Sequence, residues 1–121
     1  MSVALVFPGQ GSQSVGMLRP FAESKAVREV FAEASEILKQ DLWTLAAEGP
    51  ETELSSTVNT QPLMLTAGYA VYRAWRAAGG READIVAGHS LGEYTALVVA
   101  GALGFGDALP LVRFRAKAMQ D

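Results

Sequence analysis

Five residues, Gly88-His89-Ser90-Leu91-Gly92, constrain the fold more than any other feature of this chain. They close a short apolar run at 84–88 and open a nearly all-apolar stretch at 91–102, so a buried strand must turn into a helix without a spacer. Gly-x-Ser-x-Gly in that setting is the pattern of a nucleophile elbow. The turn is so tight that its flanking positions need residues without bulky side chains, and it holds the serine hydroxyl at the strand's carboxyl end, clear of the sheet. The helix that follows brings its positive N-terminal end to the same place, where the Leu91 backbone N–H can face a developing oxyanion. A second reading stays open: serine is a favoured N-cap, and Ser90 could simply cap this helix. The preceding strand, the following helix and the two glycines together favour the nucleophile.

His89 is a poor base for Ser90. Neighbouring side chains on a sharp turn point apart, whereas a base must come within about 2.6–3.2 Å of the hydroxyl. His89 is therefore expected to pack beside the turn and hydrogen-bond nearby backbone, with the base supplied from elsewhere.

The remaining pattern is that of an α/β fold with a parallel sheet. A first strand is expected at 2–7, closed by Pro8-Gly9 and followed by an exposed loop at 8–16. Val27, Val30, Phe31, Ala34, Ile37 and Leu38 fall at helical spacing and predict a helix over 24–39. A short helix at 41–47 would stop at Gly49-Pro50. Thr60 is expected to cap a long helix carrying Pro62 in its first turn and ending at Gly79-Gly80. The last helix, from Asp107 on, reaches Asp121 with no stop signal, and two strands cannot make a sheet that covers helices on both faces. On that pattern, 1–121 is expected to be a piece of a longer protein, truncated at its C-terminus. The expected core is Leu5, Phe7, Phe31, Leu65, Ile85, Val86, Leu97, Val98 and Val112.

Composition narrows the function. Half of the 121 residues are hydrophobic and 19% are charged, enough apolar material for one packed domain. The net charge of −3 argues against nucleic acid as the main partner. Without cysteine there is no disulfide or thiolate chemistry, and a lone histidine argues against a transition-metal site. The apolar run at 3–7 lacks a basic flank and is shorter than the roughly 7–15 residues of a signal-peptide core. The run at 94–105 falls short of the ~20 residues that span a bilayer. A cytoplasmic protein with no membrane insertion is expected.

Two further features bear on a site. The loop Phe7-Pro8-Gly9-Gln10-Gly11-Ser12-Gln13 lacks the Gly-Lys-Ser/Thr ending of a P-loop, and its glycine spacing is wrong for a dinucleotide fingerprint. It is either an ordinary turn or the second half of an oxyanion hole, with the Gln10 N–H as donor. On the last helix, Ala108, Leu109, Val112, Ala116 and Met119 share an apolar face, while Arg113 and Lys117 project opposite it as a solvated face. Arg115 sits at the edge of the apolar stripe. A cation there either snorkels to water or meets an anion, such as a substrate carboxylate held by a bidentate pair.

Phe-Pro-Gly-Gln-Gly-Ser-Gln near the N-terminus, Thr60-Gln61-Pro62 opening a helix, Gly-His-Ser-Leu-Gly-Glu-Tyr, and the downstream Arg-Ala-Lys-Ala-Met-Gln segment occur in the order seen in malonyl-CoA:acyl-carrier-protein transacylases. The chain resembles that family over essentially its whole length. The resemblance implies the first part of a large α/β-hydrolase-like subdomain, which in the family also carries a small ferredoxin-like subdomain absent from this chain. It implies a ping-pong reaction in which Ser90 takes the acyl group from malonyl-CoA, releases CoA, and passes it to the phosphopantetheine thiol of an acyl carrier protein. By position Ser90 matches the nucleophile, Gln10 and Leu91 the oxyanion-hole donors, and Arg115 the arginine that pairs with the malonyl carboxylate. Gln61 and His89 would lie at the substrate pocket. The family needs no metal or cofactor, is typically monomeric, and places its base histidine beyond Asp121, so this piece alone is expected to be inactive. Leu91 fits a malonyl better than a branched extender. Three rivals remain: an acyltransferase domain of a polyketide or fatty acid synthase, a serine esterase or lipase, and a non-catalytic carrier-binding fragment. Met1 standing directly before the first strand favours a free-standing enzyme over the first, and Arg115 has no role in the second.

Overall fold

The computed structural model describes residues 2–121. Strand β1 (Ala4–Phe7) pairs in parallel with β2 (Ile85–Gly88), with Phe7 opposite Gly88. The ladder continues at both ends: Asp84 N–H donates to the Val3 carbonyl, and His89 N–H to that of Phe7. This register brings the carboxyl ends of both strands to one edge. The loop after Phe7 and the turn after Gly88 therefore emerge side by side.

Between the strands lie α1 (Lys25–Leu38), α2 (Leu42–Glu48), α3 (Glu51–Leu54) and the long α4 (Thr57–Ala77), preceded by a 3-10 turn at Arg19–Phe21. Helices α5 (Leu91–Val99) and α6 (Phe105–Gln120) follow β2. Ser24 caps α1 by accepting from Val27 N–H, and Asp41 caps α2 by accepting from Thr44 N–H. Helix α4 begins one turn before the expected Thr60. The Thr60 hydroxyl instead donates back to the carbonyls of Leu54 and Ser56, so it ties α3 to α4, and Pro62 sits inside the helix. Helix α5 stops at Val99, earlier than expected, because Gly101 takes a positive φ of 81°.

The core is helical. Val27 and Phe31 of α1, Leu63 and Leu65 of α4, and Leu109 and Val112 of α6 are all buried against one another. Phe31, Leu65, Val98, Val112 and Phe7 are buried as expected, but Ile85 is 64% and Leu97 45% exposed, and Leu5 and Val86 are half-buried. Alternation along the strands explains the exposure of Ile85, whereas Leu97 lies on a face of α5 that is left open. Phe7 is buried, whereas Val6 and Ile85, which by the register share the opposite sheet face, are 74% and 64% exposed. Two expectations for α6 also fail. Met119 is exposed rather than part of the apolar face, and Arg113 is half-buried rather than solvated. Arg113 reaches Gln40, which bonds Asn59, and burial pushes its guanidinium pKa down.

Candidate functional site

Ser90 sits between β2 and α5 with φ 54° and ψ −116°, a backbone conformation that L-residues avoid. Its side chain caps nothing, since no backbone N–H of α5 donates to it. The two flanking glycines are required by contact. A Cβ on Gly88 would lie 2.0 Å from the Gly92 carbonyl oxygen, and one on Gly92 would lie 2.1 Å from that of Phe7. Strand, turn and helix are therefore in direct backbone contact, and the serine hydroxyl is left exposed at the rim.

The loop after β1 packs against this turn. A Cβ on Gly9 would meet the His89 carbonyl at 2.7 Å and would stand 3.6 Å from the Leu91 nitrogen. The Gln10 and Leu91 N–H groups have no acceptor among the described residues, so both are free to serve an oxyanion. The Gln10 side chain is tied down by donating to the Thr57 hydroxyl at 2.8 Å, at the start of α4. Gln13 braces the same loop: its carbonyl accepts from Gly11 N–H and its amide faces Ser55.

Arg115 does not snorkel to water. Helix α6 turns it inward, where Nη1 donates to Gln61 Oε1 at 2.5 Å and Nη2 to Ser90 Oγ at 3.2 Å. Its guanidinium carbon lies 5.4 Å from the centre of the Tyr94 ring. Among the described residues, ion pairs join only Lys25 to Glu29 and Lys39 to Glu36, so no carboxylate neutralises Arg115. A fixed cation beside a serine hydroxyl suits an acyl group that carries its own negative charge.

Ser90, Arg115 and Gln61 thus meet, with Gln10 and Leu91 beside them. His89 is different. Its ring is exposed and makes no hydrogen bond among the described residues, so the expected bond to nearby backbone is absent and only its own N–H joins the ladder. Nothing places the His89 ring at the hydroxyl or the guanidinium. Thr57 and Tyr94 are site residues that the sequence did not reveal. Tyr94 follows the elbow by one helical turn, a position that offers a weak signal, whereas Thr57 meets Gln10 only through the tertiary fold. No three His, Cys, Asp or Glu residues among those described cluster to hold a metal, and no described helix is long and apolar enough to cross a membrane.

An elbow serine with an arginine at its hydroxyl, and two backbone N–H groups without acceptors in the adjoining turns at the carboxyl ends of parallel strands, agree with the family match: residues 4–121 fit the acyl transferase domain, and the chain belongs to that family. Within it, the chain is 56% identical over 119 residues to the malonyl CoA-acyl carrier protein transacylase of Escherichia coli K12, covering 98% of this chain and 38% of that protein. It superposes with a TM-score of 0.97 on the acyl-carrier-protein S-malonyltransferase of Burkholderia pseudomallei 1710b, at 68% identity over 99% of this chain and 39% of that one. A TM-score of 0.94 at 50% identity, over 99% and 39% of the two chains, relates it to a malonyl-transacylase solved in complex with its type II PKS acyl-carrier protein. The chain thus spans somewhat over a third of the length of the relatives it matches.

Proposed function

We propose that the protein carrying this chain transfers a malonyl group from malonyl-CoA to the phosphopantetheine thiol of an acyl carrier protein, through an ester on Ser90, in fatty acid synthesis. One observation carries the reading: the uncompensated Arg115 guanidinium donates to the hydroxyl of a strained elbow serine. Ser90 Oγ bonds to the thioester carbonyl carbon, the C–S bond to CoA breaks, and the hydroxyl proton leaves with the thiol. The charge that builds on the carbonyl oxygen falls between the Leu91 and Gln10 N–H groups, at the positive end of α5. Arg115 holds the malonyl carboxylate and so fixes the acyl group for the second step. The carrier thiol then attacks the ester, and the proton returns to Ser90. The reading assigns the proton acceptor to a residue beyond 121, because His89 does not reach the hydroxyl. It calls for no metal or cofactor, and it places the protein in the cytoplasm as a monomer.

An esterase would share the elbow but leave the arginine idle. Replacing Arg115 by alanine in the complete gene product separates the two. Loss of a charge-assisted pair predicts a fall of roughly a hundredfold in kcat/KM for malonyl-CoA, with acetyl-CoA acylation kept. Equal loss on both substrates would remove carboxylate recognition from the reading.

A further inference from the structure

Gln61 is a polar residue buried to 1% exposure, and the contacts of its amide show what it is for. Oε1 accepts from Arg115 Nη1, and Nε2 faces Met119 Sδ at 3.4 Å. A buried amide is unfavourable unless its groups are bonded, and an apolar side chain of the same size would fill this space without that condition. Arg115 by contrast needs guidance, because its long side chain has many rotamers. The Tyr94 ring fixes only which face of the guanidinium is covered. Rotation within the plane is set by Gln61: with Nη1 tied to Oε1, Nη2 is aimed at Ser90 Oγ. Gln61 has almost no exposed surface for a ligand, and its acceptor is already engaged.

We infer that Gln61 is a positioning residue, which sets selectivity for carboxylate-bearing acyl groups by orienting Arg115 and does not bind the substrate. The assignment deepens the malonyl-transfer reading and rests on it. Two variants of the complete gene product test it. Gln61→Met keeps the volume and removes the acceptor. Gln61→Glu keeps an oxygen in place but adds a negative charge that competes with the substrate carboxylate for the guanidinium. Acylation of Ser90 by malonyl-CoA and by acetyl-CoA is timed for each, with thermal unfolding followed in parallel. Both variants are expected to lower malonyl acylation about tenfold or more while acetyl acylation holds, so the malonyl-to-acetyl ratio falls. A merely structural role would slow both substrates together, and an unchanged ratio overturns the assignment. Should Gln61→Met fail to fold, the ratio in Gln61→Leu, which also removes the acceptor without adding charge, decides in the same way. A parent protein that forms no malonyl ester overturns the malonyl reading and this assignment with it, whereas a selective parent with equally selective variants overturns the assignment alone.

Discussion

Replacing Ser90 by glycine should make the protein more stable while abolishing acyl transfer. The backbone at Ser90, with φ 54° and ψ −116°, lies where only glycine is at ease. Holding another residue there costs about 1–3 kcal/mol. Glycine relieves that strain but loses more chain entropy on folding, about 0.5–1 kcal/mol. It also loses the exposed bond from Arg115, which at 3.2 Å contributes no more than about 0.5 kcal/mol. The net expectation is a gain of about 1 kcal/mol for Ser90→Gly. Ser90→Ala loses the same hydroxyl and keeps the strain, so it should sit at or slightly below the parent. Urea unfolding of the three proteins at one pH reads the difference as a shift in midpoint at constant slope. If Ser90 only capped α5, both variants would be less stable than the parent, alanine by about 1 kcal/mol. That result would refute the strained-elbow account.

Two more substitutions probe the supports of the site. Gly92→Ala drives a Cβ to 2.1 Å from the Phe7 carbonyl oxygen. Backbone cannot swing aside as a side chain would, so urea unfolding should show a loss of about 3 kcal/mol, and an unshifted midpoint would contradict the close approach. Asp41→Ala removes the α2 cap and should cost about 1 kcal/mol at neutral pH. The Thr44 N–H, and then its hydroxyl, hold the Asp41 carboxyl below its ordinary 3.8. A depressed folded-state pKa gives stability that is present above the unfolded value and lost as pH falls through the folded one. The gap between parent and variant, followed by thermal unfolding, should therefore shrink below about pH 4, and a gap constant down to pH 2 would argue against the cap.

What could be read from the sequence was mostly local. The elbow declares itself because glycine, serine and the strand-to-helix switch are adjacent in the chain, and the close approaches at Gly88 and Gly92 give the physical reason. Arg115 could be singled out because a cation at the edge of an apolar stripe needs an explanation, and its bonds to Gln61 and Ser90 supply one. The start of α4 was misplaced because Thr60 and Pro62 together imitate a helix entry, while the true start depends on α3, a four-residue helix too short to show periodicity. Ile85 and Leu97 are as apolar as any core residue. Which face of a strand or helix is covered depends on what packs against it, and that is not written in the residue itself. Thr57 and Tyr94 were hidden for the same reason, since each gains its role only when distant segments meet.

The central claim is that Ser90 carries a malonyl ester. The complete gene product is incubated with malonyl-CoA in the absence of carrier protein, and peptide mass spectrometry locates any added mass. A malonyl adduct on the peptide containing Ser90, discharged when a phosphopantetheinylated carrier is added, is the predicted result. A folded protein that binds malonyl-CoA yet carries no adduct on Ser90 would contradict the account.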